Sequence, residues 1–161
     1  NVVTRLSAIR GRPIIDRGMV IAISSGGLMA AINLRTGRRI WEKEVSGFES
    51  PWVAGHFIFV LTHQSELVAL ARATGRILWV RALPQWEDEE DREGRIVWTG
   101  PILASDRLIV AGSNGIAYSV SPYTGRILGA EELPDGVKVG PIVTGNSIYI
   151  LSEDAELFAY R

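Results

Sequence analysis

Two histidines, one acidic run and five tryptophans are the side chains in this 161-residue chain with the most chemistry to offer. His56 and His63 both fall at predicted turns of one repeat. A metal pair would need a third ligand and a buried outer layer of hydrogen bonds, so both are read as exposed turn residues. Asp88-Glu89-Glu90-Asp91 gathers carboxylates, but it lies in an insertion, away from the inner ends of strands, and makes no calcium constellation. The chain has no G-x-S-x-G elbow, no H-E-x-x-H and no G-x-G-x-x-G. Gly26-Gly27 and Gly112-Ser113-Asn114-Gly115 read as hairpin turns, since no helix follows to offer its N-terminus to a phosphate. The absence of cysteine excludes disulfides, thiolate metal sites and covalent haem attachment within these residues. No catalytic, cofactor-binding or metal-binding residue is therefore assigned, and no cofactor is expected.

The acidic run has a second reading. Pro84-Gln85-Trp86-Glu87-Asp88-Glu89-Glu90-Asp91-Arg92-Glu93-Gly94-Arg95 lengthens one connection between repeats. It is either a solvated, mobile loop or a docking element. In the second case Trp86 is the anchor, and Glu89 and Glu90 steer a basic patch on a partner.

The elements that must position these residues repeat along the chain. Ala31, Thr36-Gly37 and Trp41 recur with the same spacing as Ala69, Thr74-Gly75 and Trp79. A third copy, Ser119 with Thr124-Gly125, ends on Gly129 where the tryptophan would stand. Pro13, Pro51, Pro101 and Pro141 open hydrophobic segments at intervals of 38, 50 and 40 residues, in phase with the Thr-Gly pairs. Each unit parses into short strands joined by tight turns, as in Met19–Ile23, Leu28–Leu34 and the half-exposed Arg39–Val45. Glycine after threonine lets the hairpin take a positive φ at little cost. The small Ala31 and Ala69 leave room for a bulky neighbour, and the tryptophan sits on the outer strand, where it can wedge against the next unit. Four strands in about 40 residues describe a β-propeller blade. The expected fold is all-β: a single partial propeller domain over 1–161, half of an eight-bladed ring. Its antiparallel blades fall near 13–45, 51–83, 101–133 and 141–160, the last incomplete.

Composition agrees with a packed domain. Hydrophobic residues make up 47% and charged residues 22% of the chain. The longest apolar runs, such as Phe57–Leu61, are too short to span a bilayer as a helix. Net charge is −1 and the basic residues are scattered, unlike the stripe of a nucleic-acid binder. The chain begins at Asn1, which suggests a piece or processed form of something longer. An open arc of blades would leave apolar faces and an unpaired strand edge, so a homodimer that mimics the full ring is expected.

These residues resemble the tryptophan-docking repeats of the PQQ-type propellers, and within them the C-terminal half of the BamB-like outer-membrane-assembly lipoproteins. The segments Leu28–Trp41, Trp98-Thr99-Gly100-Pro101-Ile102-Leu103 and Ala155-Glu156-Leu157-Phe158-Ala159-Tyr160-Arg161 carry the likeness. It implies a non-catalytic scaffold at the periplasmic face of the outer membrane, with its lipid anchor outside this chain. It also implies binding to the barrel-inserting protein BamA and to unfolded outer-membrane proteins, the latter by strand addition at an edge. In that family the loop ahead of the residue matching Pro13 faces a partner and often carries carboxylates. Here that loop is basic, and Arg5, Ile9 and Arg10 are its candidate contacts. Two alternatives stand beside this reading: a fragment of a PQQ- and calcium-dependent quinoprotein oxidoreductase, and a sensor propeller with a ligand in its funnel.

Overall fold

The computed structural model describes residues 11–160. Every regular element among them is a β-strand, and the chain divides into two compact units, one ending at Val80 and one beginning at Arg81.

In the first unit, β1 (Ile14–Asp16), β2 (Met19–Ile23), β3 (Met29–Asn33) and β4 (Arg39–Lys43) form one antiparallel up-and-down sheet. A second sheet follows from β5 (Trp52–Ala54), β6 (Phe57–Leu61), β7 (Glu66–Ala71) and β8 (Ile77–Ala82). Burial is graded across each sheet. Ile21, Ile23, Met29, Ala30 and Ala31 are sealed, whereas β4 exposes Arg39, Ile40 and Lys43 around a buried Trp41. The core of this unit joins Ile21, Met29 and Trp41 to Ile58, Val60, Val68 and Leu70 of the second sheet. Apolar residues run continuously through β6 because both of its faces are covered.

In the second unit, β9 (Trp86–Asp88) and β10 (Glu93–Arg95) pair as a separate hairpin. The insertion is thus an ordered two-stranded element, where the sequence left a loop as one reading. The third sheet holds β11 (Trp98–Ala104), β12 (Arg107–Gly112), β13 (Ile116–Val120) and β14 (Ile127–Glu132). The fourth has three strands, β15 (Ile142–Thr144), β16 (Ser147–Leu151) and β17 (Leu157–Tyr160). Ala111, Ala117, Val137 and Ile150 close this unit's core, with Leu133, Ile148 and Tyr160 packed against them.

Three prolines precede their strands as the repeat predicts, but Pro101 lies inside β11. The ladder to β12 shifts register between Thr99 and Ile102, so the missing N–H falls where a ladder bond is already interrupted. The fold is all-β and built of antiparallel propeller blades.

Candidate functional site

The repeat motif is a latch, best seen in the first unit. Asn33 accepts at Oδ1 from the Thr36 N–H at 2.9 Å and from the Thr36 hydroxyl at 3.0 Å, while the Gly37 N–H donates to the Asn33 carbonyl at 2.9 Å. At the next turn the Gly75 N–H donates to the Ala71 carbonyl at 2.8 Å, and the Arg76 N–H to the Thr74 hydroxyl at 3.3 Å. At the third, the Gly125 N–H donates to Ser121 at 2.9 Å and the Arg126 N–H to the Thr124 hydroxyl at 3.3 Å. All three glycines hold φ of +67°, a conformation that costs residues with a Cβ. The worn third copy therefore keeps the turn although it lacks the indole.

Trp41 stands opposite Ala31 across β3 and β4. Its indole reaches over the second turn, and its Nε1–H donates to the Arg72 carbonyl at 2.8 Å. A Cβ added to Gly75 would lie 2.6 Å from the ring, so glycine is needed there for contact as well as for φ. Arg72 continues the latch through an ion pair with Asp16 at the end of β1. The sequence reading missed Arg72, because the repeat places Leu34 at the matching position and no pattern marks it. In the second copy, Ala69 is fully buried on β7, and Trp79, half-buried on β8, lies 6.1 Å from Phe59, centroid to centroid.

The candidate partner-contact residues divide. Arg5, Ile9 and Arg10 lie outside the described residues. Trp86, Glu89 and Glu90 share the β9–β10 hairpin. Trp86 is half-buried opposite Arg95, whose guanidinium lies 5.4 Å from the indole centroid. Glu89 turns back, and its carboxylate accepts the Gln85 N–H at 2.7 Å and the Trp86 N–H at 3.3 Å. Glu90 is exposed at the tip, where Asp88 accepts the Glu90 and Asp91 N–H groups at 2.9 and 3.0 Å. At the hairpin's base the Trp98 Nε1–H donates to the Pro84 carbonyl at 2.7 Å, and Trp98 stacks on Tyr118. These bonds hold the acidic tip on an ordered stem.

The two histidines separate as well. His56 is exposed, as expected. His63 is not: it is half-buried and stacks on Phe48 with centroids 3.8 Å apart. That corrects the expectation of an exposed turn residue. The aromatic partner comes from a different loop, which local sequence does not reveal. No group of three or more acidic or histidine side chains placed to hold a metal ion occurs among the described residues.

Two shifted ionisations mark local environments. Burial holds the Glu49 carboxyl above its usual range. The Tyr123 hydroxyl donates to Asp106 at 2.8 Å, and that bond, then the charge of Asp106, raises the phenol.

Antiparallel sheets closed by Thr-Gly turns, with an indole tying one to the next, define a β-propeller protein of the tryptophan-docking, PQQ-like repeat type. Solved structures agree with that class. The BamB crystal structure from Moraxella catarrhalis matches with a TM-score of 0.80 at 21% identity, over 94% of this chain and 44% of that one. The quinohemoprotein alcohol dehydrogenase of Comamonas testosteroni shares the fold less closely, with a TM-score of 0.62 at 20% identity over 78% of this chain. The chain belongs to the family of the outer membrane protein assembly factor BamB, whose sequence profile matches residues 1–81. The Legionella pneumophila outer membrane protein assembly factor BamB is 27% identical over 155 residues, 96% of this chain. The chain spans about 38% of the length of that curated relative.

Proposed function

We propose that this chain is part of a non-catalytic scaffold that serves outer-membrane β-barrel assembly from the periplasmic face of that membrane. Its partner on this reading is a BamA-like barrel-inserting protein, with unfolded outer-membrane proteins as further ligands. The observation that carries the reading is the family match over residues 1–81. The β9–β10 hairpin supports it physically. An ordered stem presents Glu90 at its tip and the half-buried Trp86 on its flank, which suits a basic, groove-bearing partner surface. Glu89 contributes by shaping the stem, and Arg5, Ile9 and Arg10 form a second, basic contact.

Calorimetric titration of the chain with the soluble periplasmic part of the barrel-inserting protein tests this. Trp86→Ala combined with Glu90→Gln is expected to weaken binding by about tenfold or more, the scale of a lost anchor. Unchanged affinity would remove the hairpin from the interface. No binding by the unaltered chain would sink the scaffold reading for these residues.

A further inference from the structure

We propose that the cavity beside Gly129 is a slot for an aromatic side chain, carried by an extended segment of another protein that pairs with the open edge of β14. The inference rests on the scaffold reading and gives one of its ligands a place.

The molecule contains its own template for the slot. Ser119 pairs with Gly129 across β13 and β14 just as Ala31 pairs with Trp41 across β3 and β4. In the first unit the indole of Trp41 shares a core with Ile58, Val60, Val68 and Leu70. Ile58 pairs with Leu70 there, and in the second unit Ile148 pairs with Tyr160 in the same register, with Ile150 two residues further along. Thus the part of the wall that Ile58, Val60 and Leu70 offer the indole in one unit is matched by Ile148, Ile150 and Tyr160 in the other, opposite a residue without a side chain. A cavity of about 470 Å³ results, lined by Ala117, Ser119, Gly129, Ile148, Ile150 and Tyr160. That size lies within the range of pockets that hold ligands, about 300–1,000 Å³. Arg107 and Glu131 also line it. A guanidinium suits an aromatic face and a carboxylate accepts an indole or phenol hydrogen, so the lining favours tryptophan or tyrosine over leucine.

The backbone does not demand glycine at 129. Its φ lies outside the left-handed region, and a Cβ there would meet only the Ser119 hydroxyl oxygen, at 3.3 Å. The source of the aromatic group follows from β14. It is the edge strand of its sheet, and all six of its residues are exposed. The matching strand β4 guards its edge with Arg39 and Lys43, whereas β14 carries its charges, Glu131 and Glu132, at one end and leaves Ile127-Leu128-Gly129-Ala130 uncharged. A strand added there would point alternate side chains toward the fourth sheet, one of them beside Gly129 at the slot.

The test uses a short capped peptide of alternating threonine and valine with one central tryptophan. Its central-alanine twin and N-acetyl-tryptophanamide are titrated in parallel against the chain. The tryptophan peptide is expected to shift the methyl resonances of Ile148 and Ile150 and the amides of β14. It should bind about tenfold or more tightly than the alanine twin, the scale of burying one large apolar side chain. Gly129→Trp should abolish that binding and raise Tm; Gly129→Leu, a smaller filling, should weaken it if the first variant does not fold. Equal binding of the two peptides, or binding that survives in a folded Gly129 variant, overturns the slot. N-acetyl-tryptophanamide binding as tightly as the peptide overturns the extended segment as the source. The assay contains no barrel-inserting protein, so its failure leaves the scaffold reading standing, and loss of that partner's binding leaves the slot to be judged by itself.

Discussion

Gly37 and Gly75 occupy the same turn with the same φ, yet they do different work. A Cβ at Gly37 would meet nothing within 4 Å, whereas one at Gly75 would collide with the Trp41 ring. Both alanine substitutions pay the backbone cost of about 1 kcal/mol, so any excess for Gly75→Ala measures the latch. Urea denaturation should place Gly75→Ala clearly below Gly37→Ala, and equal midpoints would mean that the indole contact contributes nothing. Trp41→Ala should itself cost roughly 3–5 kcal/mol, the usual range for removing a large buried aromatic side chain. Glu49 gives a pH signature of the opposite kind from a salt-bridged carboxylate. Burial raises its ionisation in the folded state, so the folded chain holds this proton more tightly than the unfolded chain. Stability is therefore lost as pH rises from below the ordinary value of 4.5 through the raised folded value. Glu49→Gln is expected to stabilise the protein at pH 7 and to lose that advantage in acid. A Tm difference that does not change with pH would contradict this.

At the scale of elements, the hairpin of β9 and β10 owes its order to side chains that fold back onto its own backbone. Asp88 caps two N–H groups at the tip and Glu89 caps two at the base. Replacing Asp88 with alanine should loosen the tip at a cost of about 1 kcal/mol, by analogy with the loss of a helix cap. Faster amide exchange at Glu90 and Asp91, with Trp98 still hydrogen-bonded to Pro84, is the expected readout. Unaltered exchange at those two amides would show that the caps do not order the tip. The same reasoning explains how a run of five acidic residues, Glu87 to Asp91, can be structured. The carboxylates of Asp88 and Glu89 are engaged by local N–H groups, while Glu87, Glu90 and Asp91 stand exposed.

For the whole molecule the question is which propeller chemistry these blades serve. Family membership favours assembly of outer membrane proteins, and the likeness to a quinohemoprotein dehydrogenase concerns the fold, not the chemistry. Titration with calcium and pyrroloquinoline quinone is expected to leave the absorption spectrum and Tm unchanged. A saturable spectral change would restore the oxidoreductase alternative. No helix among the described residues is long and apolar enough to cross a membrane.

The amino-acid sequence by itself determined the blade. Period, turn chemistry and strand alternation are local, so Thr36-Gly37 and Trp41 announce the sheet and its outer strand, as Thr74-Gly75 and Trp79 do. The loss of the third tryptophan was equally plain at Gly129. Only the tertiary structure decided what surrounds these residues. Arg72 beneath the indole, Phe48 against His63, and Ile148 with Tyr160 across from Gly129 are contacts between segments far apart in the chain. The order of the acidic insertion also depended on packing, because Trp98 anchors its base from the next sheet. Such contacts depend on how sheets stack, and a short-range pattern carries no record of which side chain a neighbouring sheet will present.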